Sequence, residues 1–167
     1  MNEERHIAEL MASRICHGLA ATVGAIGNGI ELIEEFDESM RDEAMDLISM
    51  SAASASSQLK FFRMAYGLAG YEGLAGFADV RSLAAGIVNE EKVTIEWGDV
   101  ADTPGAAFSY GIGKVLLLMF EIAGDALLRE GKITVSCIDP DQMFVLAQGP
   151  RASVEENLMR VLTSGVV

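Results

Sequence analysis

The chain reads as an α+β protein: an N-terminal antiparallel helical hairpin, which forms a four-helix bundle on dimerisation, followed by a small α/β domain. Three observations predict this. Two long segments before residue 67 repeat their apolar residues at helical spacing. Gly67, Gly70, Gly73 and Gly76 then break the pattern and mark a linker. Beyond the linker, short segments of alternating apolar and polar residues flank an apolar helical stretch. The expected domains are residues 1–70, a helical-hairpin dimerisation domain, and residues 78–167, an α/β layer domain.

The first helix is expected over about residues 4–35. It contains no proline and is rich in Ala, Leu, Ile and Glu, which favour helix. Gly18, Gly24, Gly27 and Gly29 oppose that preference, each by about 1 kcal/mol relative to alanine, which suggests that another surface approaches closely. An acidic break over residues 34–38 ends the helix, and Ser39 offers an N-cap with Asp42 three residues on. The second helix is expected over about residues 40–66, with Ala44, Leu47, Ile48, Leu59, Phe62 and Met64 at helical spacing. Two long helices with a short connection make an antiparallel hairpin. A bare hairpin cannot cover both apolar stripes, and pairing of two chains into a four-helix bundle covers them.

After the linker, a short helix is expected over about residues 79–89 and a strand over residues 92–97, where Val93, Ile95 and Trp97 alternate. A loop containing glycine and proline leads to an apolar helix over about residues 107–128. Strands over residues 133–138 and 143–148 follow, joined by a turn at Asp139-Pro140-Asp141, and a last helix covers residues 153–162. The sheet is expected to be mixed or antiparallel. Phe61, Phe62, Phe108 and Phe120 read as core, and Tyr66, Tyr71 and Phe77 as pins for the linker.

Composition excludes several classes of function. Half the residues are apolar, so a sizeable core is available and global disorder is not expected. The 25 acidic against 12 basic side chains give a net charge of -13, a field that repels nucleic-acid backbones. Cys16 and Cys137 have neither metal-type spacing nor a disulfide framework, which points to a reducing compartment. The N-terminus lacks the basic start and apolar stretch of a signal peptide, and the longest apolar run, residues 115–120, is too short to span a bilayer. A cytoplasmic protein without membrane or nucleic-acid partners is expected.

His17 is the one histidine placed well inside an expected element. At about 100° per residue its face carries Ser13, Gly24, Asn28 and Glu31, with Ala21 one turn on, while Ala8, Ile15, Leu19, Ile26 and Ile33 lie opposite. The imidazole therefore points away from the apolar stripe, among side chains too small to block a docking protein. A neutral imidazole nitrogen can attack phosphorus, and the resulting phosphoramidate is labile enough to pass the group on. On pattern alone, the commoner reading of such a histidine is an ordinary surface residue, and His6 near the start keeps that reading. Cys16 adjoins His17 in sequence but points about 100° away.

The stretch Ser13-Arg14-Ile15-Cys16-His17-Gly18-Leu19, continued by Val23-Gly24-Ala25-Ile26-Gly27-Asn28-Gly29-Ile30-Glu31-Leu32, resembles the first helix of the ChpT-type histidine phosphotransferases. The run Leu59-Lys60-Phe61-Phe62-Arg63-Met64-Ala65-Tyr66-Gly67 resembles the end of their second helix, and the resemblance continues over nearly the whole chain. It implies a dimeric bundle like that of sensor histidine kinases, followed by a degenerate copy of the kinase ATP-binding domain. It implies that His17 is the phosphoacceptor in a relay between the receiver domain of a hybrid histidine kinase and downstream response regulators. Two positions depart from the family pattern: Gly18 stands where an acidic residue is usual, and Thr22 where proline is common. The family usually continues past the point where this chain stops, so part of the C-terminal domain is expected to be missing.

Glu121 and Asp125 stand one turn apart where a kinase of this class carries Glu and Asn. The Asp139-Pro140-Asp141 segment has no glycine and leaves no room for a phosphate-cradling lid, and Gln148-Gly149-Pro150 is a single turn. No ATP binding is therefore expected, and the chain is expected to hold no cofactor or metal of its own. Phosphoryl transfer asks mainly for in-line positioning and charge neutralisation. The receiver is expected to bring the aspartate, a lysine and magnesium; this chain brings His17 and a receiver-binding surface of Ser13, Arg14, Ala21, Gly24, Asn28, Lys60 and Arg63. Equal rise along antiparallel helices puts residues 56–60 level with His17, and the small run from Ser54 to Ser57 permits close approach. The competing readings are an ATP-dependent histidine kinase and a non-catalytic dimeric adaptor of the same fold.

Overall fold

The computed structural model describes residues 2–35, 40–68, 76–88, 92–98, 111–128, 130–139 and 142–164. The chain divides into two compact units, Met1–Gly70 and Tyr71–Val167. It is α+β, with a long helical hairpin and then a small domain built on a mixed three-stranded sheet.

The hairpin pairs α1 (Asn2–Glu35) with α2 (Arg41–Ala65). On α1 the sheltered positions Met11, Ile15, Gly18, Ala25, Gly29 and Ile33 recur every three, four or seven residues and form one stripe. On α2 the matching stripe includes Ala44, Ser51, Phe62 and Ala65, all buried. The four glycines of α1 divide sharply. A Cβ on Gly18 would lie 2.7 Å from Phe62 Cζ, and one on Gly29 would lie 2.6 Å from Ile48 Cγ1 and 3.2 Å from the Ala44 carbonyl. At Gly24 and Gly27 a Cβ would meet nothing within 4 Å. Close approach thus explains Gly18 and Gly29 but not the other two.

α2 starts after Met40, which makes no side-chain cap; Asp42 and Glu43 sit in its first turn, where negative charge favours the helix dipole. The expected cap Ser39 lies outside the described residues. By length and composition the segment Glu4–Glu35 could cross a membrane, its most apolar 18-residue stretch having a mean hydropathy of 1.2. A search for unbroken apolar runs misses it, because Arg14, His17, Asn28 and Glu31 are interspersed along one flank.

The second unit follows the order α3 (Phe77–Ala85), β1 (Val93–Trp97), α4 (Ile112–Ala126), β2 (Gly131–Asp139), β3 (Gln142–Gln148), α5 (Glu156–Ser164). β1 runs parallel to β2 and β2 antiparallel to β3, in the order β1-β2-β3. A parallel pair needs a crossover, and α4 lies in it, packed on β2, β3 and α3. Strand alternation sends Val93, Ile133 and Val135 to the buried face, under Leu116, Leu117 and Phe120 of α4. The other face carries Thr94, Glu96, Thr134, Phe144 and Leu146, with Lys132 Nζ donating to Glu96 Oε2 at 2.9 Å. Between α4, β3 and α5 lies a cavity of about 450 Å³ lined by apolar side chains such as Met119, Ile122, Val145 and Leu162, with Ser153 a polar exception.

Local bonding explains where the element ends differ from expectation. β2 begins at Gly131, two residues before Ile133, because the Gly131 N–H donates to the Lys92 carbonyl at 3.0 Å and extends the ladder. Gly131 has φ +146, and a Cβ there would meet the Gln148 carbonyl; one on Gly149 would meet the Glu130 carbonyl at 2.5 Å. α5 begins at Glu156 and not Ser153, whose N–H donates to the Ala126 carbonyl at 2.9 Å and holds that segment against the end of α4. α3 runs from Phe77 to Ala85, earlier than expected, between Gly76 and Gly86. α4 starts at Ile112 after Gly111, whose φ of 84° halts helix extension in that direction. Residues 107–110 with Phe108, the linker residues Gly70, Tyr71 and Gly73, and the Pro140-Asp141 turn lie outside the described residues.

Candidate functional site

His17 lies midway along α1 and is exposed. Its direction follows from the contact that fixes the helix rotation. Gly18 faces Phe62 on α2, so His17, one residue earlier, is turned about 100° from that direction, onto one flank of the hairpin. Ser13, Ala21, Gly24 and Asn28 share its face and are exposed, and exposed Arg14 lies one turn before it on the same flank. With open space at Gly24, about 10 Å of helix beyond His17 presents little but backbone and Ala21. Cys16 is exposed and free, but points elsewhere.

The contacts at both buried glycines set the pairing level. Gly29 lies against Ile48 and the Ala44 carbonyl, and the Phe62 ring that covers Gly18 leans over the turn N-terminal to its own Cα, so residues 56–60 stand level with His17. The small run from Ser54 to Ser57 stands level with the turn that follows His17.

Handedness then sorts the α2 candidates. In antiparallel right-handed helices, residues preceding the contact residue by about 100° lie on the same flank in both. Phe61 and Ser54 therefore share the flank of His17. Lys60 is exposed and points away from α1, and Arg63 is exposed on the opposite flank. The structure thus brings Ser13, Arg14, Ala21, Gly24 and Asn28 together around His17, and sets Lys60 and Arg63 apart from them.

Gln58 received no role from the sequence, and Phe62 only that of a core residue, which it is. Gln58 Nε2 donates to Ser54 Oγ at 3.4 Å, and its Oε1 is buried without a hydrogen-bond partner among the described residues. The signal for Phe62 was present in α1: Gly18 and Gly29 are eleven residues apart, which returns them to within about 20° on a helix and marks one closely approached face. Thr22, where the family often has proline, donates its hydroxyl to the Leu19 carbonyl at 2.9 Å and so leaves α1 regular.

In the second unit, Glu121 is half-buried and Asp125 exposed, one turn apart on α4. Among the described residues no three His, Cys, Asp or Glu side chains gather in a way that could hold a metal ion. Among the described residues, the cavity beside α4 has no charged side chain in its lining.

A family profile described as histidine phosphotransferase C-terminal domain matches residues 77–166. The chain is 37% identical over 145 residues, or 84% of its length, to the protein phosphotransferase ChpT of Brucella abortus (strain 2308). The chain belongs to the ChpT-type histidine phosphotransferase family. It spans 66% of that relative's length. Within this ChpT-type chain, the profile covers the sheet domain, and the histidine with its exposed surroundings lies in the hairpin that precedes it.

Proposed function

We propose that this chain is the histidine phosphotransferase of a cytoplasmic phosphorelay, with His17 as its phosphoacceptor. An imidazole nitrogen attacks the phosphorus of a receiver's aspartyl phosphate. The P–N bond forms as the P–O bond to the aspartate breaks, and the aspartate leaves as a carboxylate. Onward transfer reverses these steps on a response regulator. The receiver supplies magnesium and a lysine to neutralise the three phosphoryl oxygens, and the hairpin supplies alignment. The observation that carries this reading is the exposed His17 on a face of small exposed residues, in a chain of this family.

Receiver docking is assigned to Ser13, Arg14, Ala21, Gly24 and Asn28, with Ser54 from the same flank of α2. Lys60 and Arg63 project from other sides of α2 and are left out of this surface. The adaptor and kinase readings are separated by labelling. The chain is expected to gain acid-labile label from a phosphorylated receiver and none from labelled ATP. An adaptor would bind the receiver without gaining label, and label from ATP alone would make the chain a kinase.

The dimer belongs to the same proposal. Val23, Ile30, Met45 and Leu59 are 47–59% exposed and fall on the flank opposite His17, an apolar strip that a second hairpin would cover while leaving the histidine outside. Light scattering is expected to give twice the 17.8 kDa mass of one chain at micromolar concentration. A monomer mass would refute the bundle.

A further inference from the structure

The residue after His17 is usually acidic in this family and is glycine here. The structure supplies a reason on the facing helix. Phe62 aims its ring at Gly18, where a Cβ would stand 2.7 Å from Cζ and 3.1 Å from Cε2, against the 3.4–4 Å of ordinary contact. The tip of a flexible side chain could swing aside. Phe62 is not placed to do so: it is only 8% exposed, stacks on Tyr66 at 5.7 Å with 11° between the ring planes, and meets Phe61 edge-on at 5.9 Å. Its ring is held from both sides and rests on bare backbone.

We propose that Phe62 is the positioning residue for His17: seated on the Gly18 backbone, it sets the separation and rotation of α1 relative to α2 at the phosphoacceptor. The inference rests on His17 being that acceptor. A docked receiver touches α1 around Ala21 and Gly24 and the flank of α2 at Ser54, so the imidazole's place relative to the incoming phosphorus depends on how the two helices are spaced one residue away. The same ring leaves no room for a side chain at position 18. A carboxylate beside His17 is excluded by packing, which suits a carrier that receives its phosphoryl group from an aspartate and needs no base there.

The test compares wild type, Gly18→Ala, Phe62→Leu and the double variant in single-turnover transfer from a phosphorylated receiver, with folding followed by circular dichroism. Adding a Cβ at position 18 forces a shift of about 1 Å at the helix contact, and misplacement on that scale can slow a positioned reaction about 100-fold. Gly18→Ala is expected to lose rate at saturating receiver by up to that factor, with the half-saturating receiver concentration little changed. Phe62→Leu alone is expected to lower the rate in the same way, because the seat on Gly18 is lost. The double variant should recover most of the rate, since the leucine makes room for the new methyl group.

Wild-type rates in both single variants would overturn the inference, as would a folded double variant no faster than Gly18→Ala. Should Gly18→Ala fail to fold, Phe62→Leu still decides, through a reduced saturating rate or an unchanged one. If wild type itself takes no phosphate, the reading of His17 falls and the inference with it. Wild-type transfer with indifferent variants removes only the inference.

Discussion

His17→Ala is expected to abolish acceptance of phosphate from a receiver, by a factor of about 10⁴ or more, the scale on which removing a nucleophile acts. No substitute is placed to take over. One turn to either side of His17 are Ser13, Arg14, Ala20 and Ala21, and none of these carries an imidazole. The substitution should leave the fold intact, because the side chain is exposed and an exposed change away from caps and cores usually moves stability by less than about 0.5 kcal/mol. The receiver should still bind, since its proposed contacts lie mainly on Gly24, Asn28 and the α2 flank. The measurement is acid-labile label on the chain beside receiver affinity, with His6→Ala as control. Label retained in His17→Ala would move the acceptor elsewhere, and lost receiver binding would mean that the imidazole is itself a main docking contact.

The second large effect concerns the sheet domain. Phe120 is completely buried on α4, its ring 5.2 Å from that of Trp97, which in turn lies under the Arg81 guanidinium at 5.1 Å. Leu116, Leu117 and Ala123 continue the same face at helical spacing, and Ile133 and Val135 of β2 are buried with them. Phe120→Ala should cost about 3–5 kcal/mol, combining lost transfer energy with the cavity left behind. Against a total stability of about 5–15 kcal/mol, that is a large share. With a urea slope of about 2 kcal/mol per molar, the unfolding midpoint should fall by about 2 M. Val115→Ala, at a position 53% exposed on the same helix, should move it little. Equal midpoints for the two variants would mean that Phe120 is not the centre of this core.

The elements most readable in advance were those where pattern and packing agree. Val93, Ile133 and Val135 alternate and are all buried; Leu116, Leu117 and Phe120 repeat at helical spacing and are fully covered. The mixed sheet follows from a long helix between β1 and β2 and a short turn between β2 and β3. The outward direction of His17 needed only a regular α1 and its angle per residue. Placement of α2 against α1 was harder to read, because the run from Ser51 to Ser57 blurs the stripe that would otherwise set the register. The contacts of Gly18 with Phe62 and of Gly29 with Ile48 and Ala44 fix it, and with it the side on which Lys60 and Arg63 emerge. The start of α5 was misplaced for a different reason: residues 153–155 stay outside the helix, and the Ser153 N–H ties that segment to the end of α4.

Gly131 and Gly149 carry a consequence for how the second unit finds its fold. β3 has apolar residues on both faces, Val145 and Ala147 on one and Phe144 and Leu146 on the other, so hydrophobicity alone hardly distinguishes the native pairing from one displaced by a single step. Only where two bare backbones can pass at the mouth of the hairpin do the neighbouring carbonyls fit. These glycines therefore act as a keyway, admitting β3 beside β2 in one alignment and rejecting the near-miss that its side chains would tolerate.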